Sequence, residues 1–367
     1  MKKILYVTTV SSTINAFLVP HINMLLERGN IVDCACFINR DIDKTLIEKG
    51  VKVFNIPFTR NPLQLQNLKG FNELVKIQKE NNYDIIHVHT PVASVYGRLL
   101  KIKFPKLKTI YTVHGFHFHK TASKLNWMIY YPIEKFMSRF TDTMITINKE
   151  DYERASKFNI DKVYKHNGVG VDLQEYNPNR YSKSDVRSKL NLKDEDFVVL
   201  MIAEVNKNKN HRQIIDAVKI LKNRNVDIKV LCAGDGNLFR SIRDEVEKAN
   251  LSENIRMLGY RTDIDELVTS CDVGALMSYR EGLPKNIMEL MAARKTVVGT
   301  NIRGICDLVV DGYNGYLVEV GDSKATADKL EYLKNNRKKL DELSDNAYEF
   351  IRDYNIDKVV EQLSCVY

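Results

Sequence analysis

Ser278-Tyr279-Arg280-Glu281-Gly282-Leu283-Pro284-Lys285-Asn286-Ile287-Met288-Glu289 directly follows the apolar run at 273–277. The run has the length of a buried strand, Gly282 supplies a turn, and Pro284 suits the first turn of a helix. The stretch therefore reads strand, turn, helix, and the same unit recurs in both directions. Short apolar runs at 4–10, 31–37, 51–56, 85–88, 109–113 and 142–147 alternate with helical patterns, among them a helix at 18–28 stopped by Gly29. The pattern restarts with runs at 197–202, 228–233, 255–258, 273–277 and 296–299, and with a helix at 212–224. Such alternation implies parallel sheets covered on both faces. The expected fold class is α/β, with two Rossmann-like domains and a cleft between them. The N-terminal domain spans 1–175 and the C-terminal one 190–345, with a boundary in the polar stretch 172–192. A last helical segment, 346–367, is free to pack back on the N-terminal domain.

The 367 residues suffice for two domains, each with its own core. A hydrophobic fraction of 44% and a charged fraction of 28% exclude a disordered or collagen-like chain. The net charge of +8 is unevenly placed: residues 1–180 carry 26 basic and 16 acidic side chains, the remainder 29 and 31. Whatever attracts an acidic surface therefore belongs to the first half. The six cysteines show no CxxC pair and no framework spacing, which fits a reduced cytoplasmic protein. The apolar N-terminus is soon broken by Thr8, Thr9, Ser11, Ser12, Thr13 and Asn15, unlike a signal peptide. No apolar run approaches the ~20 residues that span a bilayer.

The helix after Pro284 offers free N–H groups to an anion, and Lys285 adds a positive charge. Glu281 and Glu289 are eight residues apart, about 12 Å at helical rise. That is wide for the carboxylate pair of a glycosidase. It suits two grips on a nucleotide-sugar whose diphosphate sits between them. The same letters would also serve two surface glutamates flanking a capped helix.

Glu281-x7-Glu289 around Gly-Leu-Pro resembles the signature of family 4 glycosyltransferases, retaining enzymes of the GT-B fold. Further segments are similar in the same order: Gly234-Asp235-Gly236 after a strand, Gly259-x-Arg261-x-Asp263, Gly304, and Asp311-Gly312-x-Asn314-Gly315. In the first half, Asp84-Ile85-Ile86-His87-Val88-His89 and Thr112-Val113-His114-Gly115 match as well. The resemblance implies that Glu289 binds the nucleotide ribose and Glu281 the transferred sugar. It implies that the backbone of Gly282, Leu283, Pro284, Lys285 and Asn286 holds sugar and diphosphate, with Gly234, Asp235, Gly236 and Arg261 at the nucleotide. His114 would lie at the sugar, and Lys209 would neutralise the leaving diphosphate. Family members usually carry Arg five residues before that lysine; this chain has Glu204, so Lys207 or Arg261 is expected to supply the second cation.

No metal or other cofactor is expected, because Lys209 and a helix terminus can stabilise the leaving group. Asp41-Ile42-Asp43 has the letters of a metal-binding motif but opens a polar helical segment. His87, His89, His114, His117 and His119 raise a metal site as an alternative, yet they fall at strand ends where polar cleft residues belong. The implied substrates are a UDP-hexose or UDP-N-acetylhexosamine donor and a polyprenyl-diphosphate-linked or other saccharide acceptor for surface polysaccharide. A sugar-nucleotide epimerase and a degenerate carbohydrate- or nucleotide-binding protein remain alternatives. Arg98, Lys101, Lys103, Lys106 and Lys108, with Lys120 and Lys124 before Trp127-Met128-Ile129-Tyr130-Tyr131, suggest an anionic membrane surface as partner. A solvated basic helix over a buried aromatic stripe is the other account of those residues. No nucleic-acid-binding motif accompanies the charge. The expected location is peripheral, at the inner face of the cell membrane.

Overall fold

The structure, a computed structural model, describes residues 1–367. It comprises two compact units, Met1–Val169 with Asp357–Tyr367, and Gly170–Ile356. The stretch 172–192 thus belongs to the second unit, and 346–367 is divided between the two. Arg187 explains the first point. It lies in the helix Lys183–Lys189, is buried, and donates to Ser270 O at 2.9 Å and Asp272 Oδ2 at 2.9 Å. Polar composition here marks a buried network.

The first unit holds seven parallel strands: β1 (Lys3–Val10), β2 (Ile31–Phe37), β3 (Val53–Asn55), β4 (Ile85–His89), β5 (Lys108–Val113), β6 (Thr143–Thr146) and β7 (Lys162–Lys165). Their order is β3-β2-β1-β4-β5-β6-β7. Alternate residues of the central strands feed separate layers. Leu5, Val7, Ile86 and Val88 join one core. Ile4, Tyr6, Ile85 and Ile110 join the other, which Leu363 and Val366 help to close. The second unit repeats the scheme with β8 (Val198–Ile202), β9 (Lys229–Ala233), β10 (Ile255–Gly259), β11 (Val273–Leu276), β12 (Thr296–Thr300) and β13 (Gly315–Val318), in the order β10-β9-β8-β11-β12-β13. Strand order reverses at β1/β4 and at β8/β11. In open parallel sheets the crevice beyond such a reversal is where ligands bind.

Two strands escape the sequence pattern, β7 and β13. Each is a four-residue edge strand with one partner, and Lys-Val-Tyr-Lys lacks the apolar run that a doubly covered strand needs. Of the polar residues that broke the N-terminal run, Thr8 and Thr9 complete β1, while Ser11, Ser12, Thr13 and Asn15 lie in a helix of their own, Ser11–Phe17, ahead of a second, Val19–Glu27. Their side chains bond the loop after β2: Ser11 Oγ donates to Arg40 O at 2.6 Å, and Asn15 Nδ2 to Asp41 O at 2.7 Å. Asp43 caps the short helix Lys44–Glu48 by accepting from Thr45 N at 2.9 Å.

The expected basic row needs correction. Arg98 is fully buried, donates to Glu134 Oε2 at 2.9 Å, and lies 4.3 Å over the Tyr111 ring. Lys101 pairs with Asp142, and Lys108 donates to Val366 O at 2.7 Å. Trp127 and Tyr131 pack inward, while Met128 and Ile129 are exposed.

Five of the eight histidines (His21, His87, His89, His114 and His166) lie in the first unit with burial pushing their pKa down, His21 to about 3 and His114 to about 4. In the second unit His211 is lowered to about 4, also by burial. The folded state thus favours neutral imidazole. The associated stability is complete above the unfolded value near 6.5 and drains away as pH falls toward the folded values. The lowered carboxylates Asp142 and Asp272 begin to lose theirs only below about 4. Hydrogen exchange corrected for intrinsic rate should therefore show β4 and β5 opening at pH 5 while β8 and β11 stay protected.

Candidate active site

Beyond β8 the chain makes one 3-10 turn, Lys207–Lys209, opened by Asn206, whose side chain accepts from Lys209 N at 3.1 Å. This turn is stitched to the loop after β11. Tyr279 N donates to Asn208 O at 2.8 Å, and Asn208 Nδ2 donates to Arg280 O at 2.9 Å. The stitching brings Lys209 Nζ to 2.6 Å from Glu281 Oε1, both side chains largely buried. The two residues thus meet at the strand-order reversal of the second sheet.

The surrounding backbone is fixed by close approach. Gly234 has φ +145, and a Cβ there would lie 2.0 Å from Ala203 O. Gly304 has φ +83, and a Cβ would lie 2.4 Å from Gly282 O. Pro284 caps the helix Lys285–Ala292 and has no N–H to lose. Asn286 Nδ2 donates to Ile202 O at 2.5 Å, tying the helix start to the end of β8, while Asn286 Oδ1 accepts from Ile287 N. Leu283 packs on the core. Asp235 turns its carboxylate onto Gly236 N at 2.7 Å.

Glu289 is buried inside the helix, with Lys285 Nζ at 3.4 Å. Burial and the nearby carboxylate of Glu289 push the Tyr176 pKa up. Burial also raises Glu175, against the pull of Lys285. Arg261 is committed to Asp263, with Nε at 2.8 Å from Oδ1, and holds that carboxyl below its usual range. Glu204 and Lys207 are exposed. Arg303, buried, donates from Nε to Glu281 O at 3.2 Å.

In the first unit His114 follows β5, with Nε2 at 3.0 Å from Nδ1 of His89, the last residue of β4. His87 joins Thr112 at 2.7 Å and also bonds Tyr367. His117 stacks on Tyr130, and His119 bonds Thr121, outside this group. The His89–His114 bond fixes both tautomers. His89 Nε2 is buried without a partner. A buried unsatisfied N–H costs more than a bare acceptor nitrogen. His89 therefore carries its proton on Nδ1 and donates it, and His114, held neutral by burial, keeps its proton on Nδ1. His114 is a hydrogen-bond donor.

Residues 182–350 match the family pattern described as glycosyl transferases group 1, and residues 3–148 match that of glycosyl transferase 4-like proteins. EpsD of Bacillus subtilis, named a glycosyltransferase, is 34% identical over 371 residues, covering 100% of this chain and 96% of EpsD. The chain is a family 4 glycosyltransferase. A second relative of the transferase, the UDP-Gal:alpha-D-GlcNAc-diphosphoundecaprenol alpha-1,3-galactosyltransferase of Escherichia coli, is 28% identical over 329 residues, 88% of this chain and 84% of the relative. Anabaena HepE, solved in complex with UDP and glucose, superposes with a TM-score of 0.81 at 20% identity, covering 100% of this chain and 99% of HepE, and shares the GT-B fold. Both relatives are named as transferases, and the epimerase and binding-protein alternatives gain nothing from them.

The sequence singled out Lys209, Glu281, Glu289, His114 and the glycines of the transferase. It passed over Tyr176, Arg303 and the pairing of His89 with His114. Tyr176 lay in a stretch read as a boundary, whereas Arg303 stood beside the noted Gly304.

Gly304→Ala meets both a disfavoured φ and the Gly282 carbonyl. Scanning calorimetry should show a melting-temperature loss set by about 1–3 kcal/mol of strain. Long-range 15N–1H spectra at pH 7 should show His114 protonated on Nδ1; protonation on Nε2 would refute the tautomer assignment.

Proposed function

We propose that this glycosyltransferase moves a hexose or N-acetylhexosamine from a UDP-sugar to a polyprenyl-diphosphate-linked saccharide in surface-polysaccharide synthesis, with retention of configuration and no metal. The observation that carries the proposal is the Lys209–Glu281 pair at the β8/β11 reversal, with the helix start after Pro284 beside it. The name of the Escherichia coli relative supports a UDP donor, an undecaprenol-linked acceptor and an α-linked product. The first unit takes the acceptor and the second the donor, with the enzyme working at the inner face of the membrane.

In the reaction the anomeric C–O bond of the donor breaks and the electron pair leaves with the diphosphate. Lys209 and the helix-start amides stabilise that charge as it develops, which is the function a metal would otherwise have. Lys207 is the better second cation, because it is exposed on the same turn, whereas Arg261 is tied to Asp263. Glu281 orients sugar hydroxyls, Glu289 accepts from the ribose, and His114 donates from Nδ1 to the sugar. The acceptor hydroxyl attacks from the face the phosphate leaves, and its proton passes to a phosphate oxygen.

A panel of nucleotides and nucleotide-sugars, scored for thermal stabilisation and slow donor hydrolysis, tests the proposal. UDP should stabilise and GDP and ADP should not. Lys209→Ala should cut turnover about 10²–10³-fold, and Lys207→Ala should cut it by a smaller factor. Indifference to every nucleotide would overturn the donor assignment, and full turnover in Lys207→Ala would remove Lys207 from the mechanism.

A further inference from the structure

The helix Lys124–Met137 of the first unit is apolar on both faces. Its inner face sets Trp127 and Tyr131 on the core and, nearer its C-terminal end, Glu134 against the buried Arg98. Arg98 is itself fixed by Ser94, with Nε at 3.0 Å from Ser94 O and an Nη at 3.2 Å from its hydroxyl. Trp127 is held by His119 O at 3.1 Å and by the Arg154 guanidinium over its ring. These anchors fix the rotation of the helix and leave Leu125, Met128, Ile129, Ile133 and Phe136 outward, 62%, 74%, 45%, 43% and 52% exposed. With the exposed Pro132 they fall at i, i+3, i+4, i+7, i+8 and i+11, a continuous stripe along one helix face. An apolar stripe of this length on an exposed helix marks an interaction surface.

We propose that this stripe is the surface by which the enzyme lies on an anionic lipid bilayer, which deepens the lipid-linked-acceptor reading above and rests on it for its purpose. The charges select the occupant. Lys120, Lys124, Lys135 and Arg139 are exposed at the ends and flank of the stripe, and the only acid of the helix, Glu134, is spent on Arg98. Apolar chains at acyl depth with cations at headgroup level are the arrangement that binds anionic membranes. A second copy of the chain fits poorly, because an antiparallel pair of such helices would set cation against cation with no carboxylate between them. No helix is long and apolar enough to cross a membrane, so the attachment lies along the surface. Of the two segments the sequence suggested, the row at Arg98–Lys108 loses Arg98, Lys101 and Lys108 to partners within the fold and keeps Lys103 and Lys106 exposed, and the stripe lies on the second, from Lys124 onward.

The test is flotation of the full chain with phosphatidylcholine vesicles, with and without phosphatidylglycerol, without any acceptor present. The parent protein should float with the mixed vesicles, poorly with the neutral ones, and less at about 1 M salt, where charges are screened within ~3 Å. Replacing Leu125, Met128, Ile129, Ile133 and Phe136 by Gln should cut vesicle binding at least about tenfold. UDP-sugar hydrolysis and the emission of Trp127, the one tryptophan in the chain, should stay unchanged. Should that variant lose hydrolysis, the single Met128→Gln and the pair Lys124→Gln with Lys135→Gln replace it and are judged by the same flotation. Equal flotation of parent and variants overturns the proposal, as does equal binding to neutral vesicles. So does a parent dimer that the variant makes monomeric while neither binds vesicles. Loss of hydrolysis in the parent itself would instead count against the donor assignment and leave the flotation result standing.

Discussion

Backbone meets backbone at the strand ends of the second unit more closely than any side chain permits. Gly234 lies against the Ala203 carbonyl, and Gly304 against that of Gly282. These approaches let the loops after β8, β9, β11 and β12 share one small region, with Asn208 and Asn286 bonding across it. A parallel sheet delivers all of its strand ends to one edge, and the order reversal at β8/β11 opens that edge. The placement of Lys209 against Glu281 follows from these two geometric facts. Neither residue would meet the other from sequence spacing alone, since 72 positions separate them.

The architecture was legible because buried parallel strands need uninterrupted apolar runs, and eleven such runs stand in the chain. β7 was illegible for the converse reason: an edge strand with one partner needs no such run, and Lys-Val-Tyr-Lys has none, whereas β13 carries only the short run Tyr-Leu-Val behind a glycine. At the site, residues tied to a local turn or helix start, such as Glu281, Pro284 and Lys285, could be read directly. Those whose role comes from distant partners could not. Tyr176 reaches Glu289 from a polar stretch, and His89 meets His114 across two neighbouring strands. Arg98 is the sharpest failure of composition as a guide. A cation in a basic row is expected in water, yet the carboxylate of Glu134 and the face of Tyr111 hold it inside.

The charge asymmetry accordingly divides into two kinds. Part of the basic surplus of the first unit is structural, as in Arg98 and Lys101, and contributes nothing to the outer field. The remainder includes cations at the helix Lys124–Met137 with no neighbouring acid on the same face. The second unit, close to neutral, balances its cations with acids, and charges such as Lys209 act there through position. Its electrostatics are short in range and depend on geometry, while those of the first unit reach outward and depend on salt.

The Lys209–Glu281 contact also governs what the site refuses. An ammonium already held 2.6 Å from a carboxylate is a poor lure for a stray phosphate. An anion that captures it must leave a largely buried Glu281 with no counter-ion, and that desolvated charge is expensive. A ligand that brings hydroxyl donors for the carboxylate together with oxygens for the ammonium escapes the penalty. The resting pair therefore favours a ligand that serves both groups over an anion that serves the ammonium alone.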